Sequence, residues 1–289
     1  MDRLSCPACG TYSGPFEITW VLRTGRGRNE WARCMSCKAY FLAGEYSLPD
    51  EIVHTRGMGW GSRDLGIFLN EFKSRMFASV LKLLLEYAPP PASLLDIGCS
   101  FGGFLMKAKK AGYVVVGTDI VPEAVAYVRK HGISAEVCSD IGEISIAQDD
   151  SFDIVSILDC NCYWADQLQQ LKHARAKMKP GGFLIMRVVN KSWMFSIGLR
   201  LYQIHRALGE RVVWKAVNDH RFSMPLKSLL ALIQNLGFET VYVRPKGAVH
   251  GDQTSLPVKF AFAFGDLMWR ALNISCAPGA ILLARKHLS

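Results

Sequence analysis

Short apolar runs alternate with amphipathic segments through the middle of the chain, from about residue 94 to residue 189. Runs rich in Val, Ile and Leu predict buried strands, whereas apolar residues at three- and four-residue spacing predict helices. The predicted order is strand 94–97, helix 101–111, strand 113–119, helix 122–131, strand 134–138, strand 152–158, helix 165–178 and strand 183–189. Strands that alternate with helices indicate a parallel sheet covered on both faces, which is a doubly wound α/β fold.

The segments on either side of this alternation extend the predicted fold. Residues 65–87 show helical apolar spacing, and the prolines of 89–91 end that helix, which is expected to cover a sheet edge. An apolar and basic insertion follows the strand at 183–189. Its Trp193, Phe195 and Trp214 either line an acceptor site or belong to the core. After it come a predicted helix 225–236 and two strands, 238–243 and 280–285.

Residues 256–274 are strongly apolar, with Lys259, Asp266 and Arg270 interspersed. Three interpretations of this segment stay open: a lid over a lipid-like acceptor, an interfacial helix, and a core helix with one charged face. The core helix is the more frequent arrangement.

Composition indicates a large folded domain and leaves several partners open. The chain has 289 residues, 50% of them hydrophobic, and a formal net charge of +9. Residues 187–289 hold 14 Lys and Arg against 5 Asp and Glu, so the excess lies in this basic last third. Such a surface suits an anionic substrate, a membrane surface or nucleic acid, or is merely solvated. There is no basic run of five residues, no signal peptide pattern and no spanning apolar stretch, so a cytoplasmic protein is expected.

Four cysteines near the start form two Cys-x-x-Cys pairs, which are Cys6 with Cys9 and Cys34 with Cys37. Four thiolates at this spacing satisfy tetrahedral zinc, and no coordination position is left open, so the Zn²⁺ is expected to be structural. Predicted strands around residues 16–22 and 30–33 flank an Arg-rich hairpin between the pairs. The arrangement resembles a zinc ribbon. Two redox motifs are the weaker interpretation, because neither pair opens a helix after a strand.

A glycine-rich turn after the first predicted parallel strand carries the clearest chemical signal. The sequence Ser93–Leu105 reads S-L-L-D-I-G-C-S-F-G-G-F-L. It lacks the Gly-Lys-Ser/Thr of a phosphate-binding loop, and Ser100 stands where a dinucleotide fingerprint requires glycine. The carboxylate of Asp96 at the strand end would repel a pyrophosphate and favours a cationic ligand.

Asp96-Ile-Gly-Cys-Ser-Phe-Gly102 resembles the first motif of class I S-adenosylmethionine-dependent methyltransferases. Asp119 ends the next strand, 23 residues later, and Lys179-Pro-Gly-Gly resembles the family's turn into its fifth strand. The resemblance implies a mostly parallel, seven-stranded, Rossmann-like sheet with an antiparallel ending. It also implies S-adenosylmethionine as cofactor, with Asp119 holding the ribose. The residues expected at the cofactor are Asp96, Gly98, Cys99, Ser100, Gly102, Asp119, Ile120, Asp140, Ile141 and Asp159.

Two residues are candidates for catalysis. Tyr163 belongs to the segment 159–164, which leaves the fourth strand where the transferred methyl group should point. This segment lacks both the Asn/Asp-Pro-Pro-aromatic motif of amino-group methylation and the Pro-Cys motif of cytosine methylation, so Cys160 and Cys162 are expected to pack rather than react. His220 precedes a helix where relatives bind the acceptor, and it is either a base or a structural histidine.

The predicted domains are a zinc ribbon (1–45), a linker with a covering helix (46–92) and the methyltransferase domain (93–289), with acceptor-binding insertions at about 190–222 and 248–275. The linker could also close over the cofactor through Trp60 and Arg63. The preferred function is methyl transfer to O or C of a small-molecule, sugar or lipid-linked acceptor, with peripheral membrane contact open. Ribosomal-RNA methylation and a non-catalytic scaffold are the alternatives.

Overall fold

The computed structural model describes residues 5–11, 17–24, 27–43, 71–217, 220–244 and 256–288. Its strands are β1 (Glu17–Thr24), β2 (Gly27–Arg33), β3 (Tyr40–Ala43), β4 (Ser93–Ile97), β5 (Val114–Asp119), β6 (Ser134–Val137), β7 (Phe152–Leu158), β8 (Met178–Val189), β9 (Phe222–Ser223), β10 (Phe238–Arg244) and β11 (Gly279–Lys286). Its helices are α1 (Glu71–Tyr87), α2 (Gly103–Lys110), α3 (Pro122–Lys130), α4 (Gln167–Lys177), α5 (Ser192–Ile204), α6 (Arg206–Val217), α7 (Leu226–Asn235) and α8 (Leu256–Leu272).

Within the described part of the chain, seven strands form the main sheet, in the order β10-β11-β8-β7-β4-β5-β6. Strands β8, β7, β4, β5 and β6 are parallel, while β11 lies antiparallel to both β8 and β10. Separate clusters of buried apolar side chains pack on the sheet. The predicted doubly wound, mostly parallel seven-stranded sheet is confirmed.

The carboxyl ends of β4, β5, β6 and β7 lie at one edge of this sheet, which we call the carboxyl edge. Each of these strands passes directly into a turn, so the turn residues gather there. Helix α3 begins with Pro122. A backbone N–H in the first turn of a helix has no partner within the helix, so proline, which lacks that N–H, is well tolerated there.

The Lys-Pro-Gly-Gly sequence lies inside a strand rather than before it. Strand β8 begins at Met178, and its register with β7 shifts between Met178 and Phe183. Gly181 has a φ of 75°, and a Cβ on Gly182 would lie 2.9 Å from the carbonyl oxygen of Lys179. The glycines therefore form an irregularity within the strand, and the predicted start at residue 183 was too late.

A smaller sheet joins the N-terminal strands to a strand far along the chain. Its order is β1-β2-β3-β9, and β3 pairs antiparallel with β9 through Phe41 and Phe222. Cys6, Ala8 and Phe41 belong to the same buried cluster as Leu184 of the main sheet. The two sheets therefore share one core, and the predicted domain boundaries at residues 45 and 92 stay predictions.

The insertion after β8 forms the helical hairpin α5–α6. Phe195 of α5 stacks on Tyr40 with ring centroids 4.2 Å apart and also contacts Trp31. Because Phe195 is fully buried in this cluster, it is a core residue and does not line an acceptor site. None of the helices in the described residues is long and apolar enough to cross a membrane.

Candidate active site

A cavity of about 550 Å³ opens at the carboxyl edge of the main sheet. Its volume lies in the range of small-molecule and cofactor sites. The cavity wall includes the turns after β4, β5, β6 and β7, part of α1, and the residue before β9. Its lining residues include Lys73, Gly98, Ser100, Asp119, Ile120, Asp140, Ile141, Asp159, Cys160, Tyr163 and Arg221.

Seven of the ten residues predicted to contact the cofactor line this cavity, and three do not. Gly98, Ser100, Asp119, Ile120, Asp140, Ile141 and Asp159 are at its wall. Asp96, Cys99 and Gly102 are not among its lining residues. Of the two catalytic candidates, Tyr163 lines the cavity and His220 does not.

The turn after β4 allows the backbone to approach closely. Gly98 has a φ of 72°, and a Cβ there would lie 2.7 Å from the Cβ of Cys160 on the neighbouring turn. The N–H groups of Gly98 and Cys99 donate to the carbonyl oxygen of Thr118 at 2.8 and 2.9 Å. The turn is thereby fixed against the end of β5, and its Gly98 and Ser100 form a cradle at the cavity wall.

Asp119 is held at the end of β5 by the backbone on both sides. Its Oδ2 accepts the N–H of Ser100 at 2.7 Å, and its Oδ1 accepts the N–H of Val121 at 3.0 Å. Each carboxylate oxygen retains acceptor capacity beyond one hydrogen bond. A preorganised carboxylate at this place fits a pair of vicinal hydroxyls, such as those of a ribose.

Asp96 lies behind the cavity and is only 2% exposed. Its Oδ1 accepts the hydroxyl of Ser156 at 2.6 Å. Burial raises the pKa of Asp96 to about 7, opposed by the Ser156 hydrogen bond and reinforced by the charge of Asp119. Near neutral pH this carboxyl therefore exchanges between its charged and neutral forms.

Asp140 and Ile141 form a second wall, after β6. The Oδ1 of Asp140 accepts the N–H of Gly142 at 2.8 Å and also contacts His173 Nδ1 at 2.8 Å. Desolvation opposes ionisation of Asp140, yet these hydrogen bonds lower its pKa. The N–H of Ile141 donates to Gln170 Oε1 at 2.9 Å, so this wall is polar at its rim and apolar at Ile141.

Among the described residues, two cations line the cavity, and sequence reasoning missed both. Lys73 of α1 faces Asp159 and Asp119, and its pKa is lowered chiefly by burial, with those two charges opposing the shift. Arg221 lines the cavity just before β9. A third cation, Arg187, forms an ion pair with Asp159 and so neutralises the carboxylate after β7.

Tyr163 and Cys160 stand at the end of the cavity where β7 finishes. His220 packs its ring edge-on to Tyr163 at 5.7 Å between centroids, and it is 8% exposed. Burial raises the pKa of the Cys160 thiol well above its ordinary value, and the nearby Asp96 adds to this. A thiol that resists ionisation is a poor nucleophile, which agrees with the packing role predicted for Cys160.

The four N-terminal cysteines converge in one cluster. Their sulfur atoms all lie within 4.8 Å of one another, and the Cys6–Cys37 and Cys9–Cys34 Sγ distances are each 3.8 Å. Four sulfurs bound at about 2.3 Å to one zinc ion would be separated by about 3.8 Å. Contact with Cys6 and Cys9, together with burial, raises the pKa of Cys37.

A turn cradle and a strand-end carboxylate at one cavity define a doubly wound protein that binds a nucleotide-type ligand. Residues 69–243, more than half of the chain, match the family described as "Methyltransferase domain". The chain belongs to the class I S-adenosylmethionine-dependent methyltransferase family, as its resemblance at the sequence level indicated.

The fold is shared with solved structures of S-adenosylmethionine-dependent methyltransferases. One from Archaeoglobus fulgidus has a TM-score of 0.50 and 19% identity, covering 76% of this chain and 98% of its own. A second structure is that of a putative S-adenosylmethionine-dependent methyltransferase from Listeria monocytogenes. It has a TM-score of 0.51 and 16% identity, and the match covers 73% of this chain and 98% of its own. At these identities the likeness concerns the fold alone.

Curated relatives are named ubiquinone biosynthesis O-methyltransferases. One from Xanthomonas campestris is 31% identical over 111 residues, covering 36% of this chain and 46% of its own length. Another from Cereibacter sphaeroides is 30% identical over 103 residues, covering 34% and 42%. The chain thus spans less than half the length of these relatives.

Proposed function

We propose that this protein transfers a methyl group from S-adenosylmethionine to an oxygen atom of a small-molecule acceptor. The observation that carries the proposal is the cavity at the carboxyl edge, where the Gly98 cradle and the fixed carboxylate of Asp119 face the same space. The names of the curated relatives support an oxygen acceptor over carbon. When bound, the cofactor supplies an electrophilic methyl group on a sulfonium.

The residues of the cavity wall divide the work of holding the cofactor. Asp119 would accept both ribose hydroxyls, and Ile141 would pack against the adenine while Asp140 lies at its edge. The turn 98–100 would let the methionine portion lie against the backbone. Lys73 would pair with the cofactor's carboxylate, because its ammonium group is buried beside the cavity.

The acceptor would lie between Tyr163 and Arg221. A phenol or other weakly acidic hydroxyl must lose its proton as the methyl group arrives. Tyr163 reaches the cavity and would orient the acceptor, while His220 packs edge-on with the Tyr163 ring and would fix its position. Arg221 would stabilise negative charge on the acceptor. His220 as the base itself remains a prediction from the sequence.

Titration calorimetry with S-adenosylmethionine and with S-adenosylhomocysteine tests this proposal. The full chain should bind both, and Asp119→Asn should weaken binding about 10- to 100-fold, since a charged acceptor of two hydrogen bonds is lost. Glu239→Gln is the matched control, because Glu239 is an exposed carboxylate on β10 away from the cavity. Absence of binding by the wild type, or equal binding by Asp119→Asn, would refute the cofactor assignment.

We also propose a structural Zn²⁺ held by Cys6, Cys9, Cys34 and Cys37. The convergence of the four sulfurs, two pairs of them 3.8 Å apart, supports it. Four thiolates leave no open position for substrate, so this ion would stabilise the fold and take no part in methyl transfer. Elemental analysis of the purified full chain should give one zinc per chain, and Cys37→Ser should lower that content.

A further inference from the structure

Helix α8 presents an apolar face to solvent. Phe260 is 80% exposed, Phe264 55% and Leu267 60%. Together with exposed Ala271 they recur at spacings of four, three and four residues, which places them within about 60° of one another around the helix. We call Phe260, Phe264, Leu267 and Ala271 the α8 stripe. An ordinary surface helix shows the reverse pattern, with its apolar face inward.

The opposite face of α8 fixes this orientation. Gly265 is buried, and a Cβ on it would lie 3.0 Å from the Cβ of Ala277, so the helix packs closely there. Trp269 packs against the main core. Arg244 of β10 donates two hydrogen bonds of 3.0 Å to the carboxylate of Asp266. These contacts hold the α8 stripe outward, so its exposure is a built feature of the fold.

The stripe lies in a basic and partly apolar part of the molecule. Arg270, 61% exposed, flanks it on α8 and shares Asp266 with Arg244, so two cations face one carboxylate there. Asn190, just before α5, donates hydrogen bonds to Ser275 and Ala277 just after α8, so the α5–α6 hairpin leaves the same edge of the sheet. The hairpin itself combines exposed apolar and basic side chains, which are Ile197, Arg200, Ile204, Leu208 and Arg211.

We propose that the α8 stripe docks on an anionic lipid bilayer, with its aromatic side chains at the level of the headgroups. Interfacial helices bind through buried apolar area together with attraction of flanking basic residues to anionic lipids. The exposed Arg270 beside the stripe and the exposed Arg200 and Arg211 of the hairpin carry positive charge that is complementary to such a surface. A second copy of this chain would instead bring two basic surfaces together. The proposal does not depend on methyl transfer.

Vesicle co-sedimentation of the full chain tests the proposal. Sucrose-loaded vesicles of phosphatidylcholine alone are compared with vesicles rich in phosphatidylglycerol, each at low and high salt. The wild type should sediment with the anionic vesicles, and high salt should weaken this binding by screening. Phe260→Ser/Phe264→Ser/Leu267→Ser should lower the partition coefficient about tenfold or more. Arg200→Gln/Arg211→Gln should reduce binding to the anionic vesicles.

A matched control removes three exposed apolar side chains elsewhere. Leu85→Ser/Val114→Ser/Leu288→Ser replaces three exposed side chains at the opposite edge of the main sheet and should sediment like the wild type. Thermal unfolding should give equal midpoints for the stripe variant and the wild type, because the replaced side chains face solvent.

Three outcomes would overturn the proposal. One is a wild type that stays in the supernatant with both kinds of vesicle. Another is a stripe variant that sediments as well as the wild type. The third is a wild type that is a stable dimer in sedimentation velocity without vesicles and that the stripe substitutions convert to a monomer, since the stripe would then be an interface between copies.

Discussion

Gly98 lies where two constraints on the backbone meet. Its φ of 72° is one that side chains rarely adopt, and Cys160 fills the space into which a Cβ would point. The first constraint acts on the residue's own conformation, and the second acts on the distance between the turns after β4 and β7. Only glycine satisfies both, and the width of the cavity at this point depends on it.

Gly98→Ala should therefore destabilise the fold by about 2–4 kcal/mol, from backbone strain and from the overlap with Cys160. Urea unfolding measures this. Gly132→Ala is the matched control, because Gly132 has a φ of 68° but its Cβ would meet only the end of Lys109 at 3.6 Å. It should cost about 1 kcal/mol. Equal losses for the two variants would show that the contact with Cys160 contributes nothing.

Asp96 gives the stability of the protein a pH dependence of its own. Its folded pKa of about 7 lies above the ordinary value of 3.8, so the folded state binds more protons between these pH values. The contribution of Asp96 to the free energy of unfolding is therefore fully present below about pH 4 and is lost as the pH rises through 7. A buried carboxyl of this kind contributes on the order of a few kcal/mol.

Asp96→Asn should remove this contribution while an acceptor for Ser156 remains. The free energy of unfolding, measured by urea titration at a series of pH values, should then fall less steeply between pH 4 and 7 than in the wild type. Glu239→Gln, a substitution of an exposed carboxylate on β10, supplies the comparison. Parallel pH curves for wild type and Asp96→Asn would contradict the assignment of this titration to Asp96.

At the cavity, sequence reasoning succeeded where a residue type is tied to a backbone position. Asp119 and Gly98 could be placed because strand ends and glycine turns have local signatures. Lys73 could not be placed at the cavity from the sequence, since a lysine on an amphipathic helix usually belongs to the solvent-exposed face. Only the packing of α1 brings Lys73 to the cavity. Asp96 accepts a hydrogen bond from Ser156 behind the cavity wall, and its contact with the cofactor stays a prediction.

At the scale of elements, the N-terminal ribbon and the main sheet depend on each other. The amide of Gln167, at the start of α4, donates to the carbonyl oxygen of Ala8 at 3.1 Å and accepts from Asn161 at 2.7 Å. The N–H of Gln167 donates to the carbonyl oxygen of Pro7 at 2.7 Å. The cysteine turns thus reach the segment after β7 that carries Tyr163.

Cys37→Ser should destabilise the whole protein and not the ribbon alone. Loss of the metal would loosen Cys6 and Cys34, which are buried with the side chains of the main sheet. The midpoint of thermal unfolding, followed by far-ultraviolet circular dichroism, should fall by about 5 °C or more.

A strong zinc chelator should shift the unfolding midpoint of the wild type in the same way and have little further effect on Cys37→Ser. Cys276→Ser, a cysteine outside the cluster, serves as the control. A wild type whose unfolding is indifferent to chelation would contradict the structural role of the metal.

Element types were predictable wherever a hydrophobic period was strong, as in β4, β5, α3 and β7. Where the hydrophobic period was weak, or where apolar residues face solvent, the sequence did not show which face of the element is buried. Helix α8 is so apolar that a core helix was the more frequent expectation, yet its apolar stripe faces solvent. The connector at residues 38–65, with its possible closure through Trp60 and Arg63, lies mostly outside the described residues.

At the scale of the whole molecule, long-range contacts were the part that the sequence could not supply. The Cys-x-x-Cys spacing predicted a ribbon, but no local pattern indicates that its strand β3 would pair with β9. The same holds for Phe195, whose partners Tyr40 and Trp31 lie more than 150 residues earlier in the chain. The fold class could be predicted from local periodicity, whereas the packing of the two sheets against each other could be seen only in the structure.

The pairing of β3 with β9 has a consequence for biosynthesis. Residues 40–41 leave the ribosome long before residues 222–223 are made, so during that interval β3 offers an uncapped edge to any other nascent strand. Early metal capture would keep the N-terminal segment compact while it waits. Translation in zinc-starved cells should for this reason yield aggregates that later addition of zinc does not rescue.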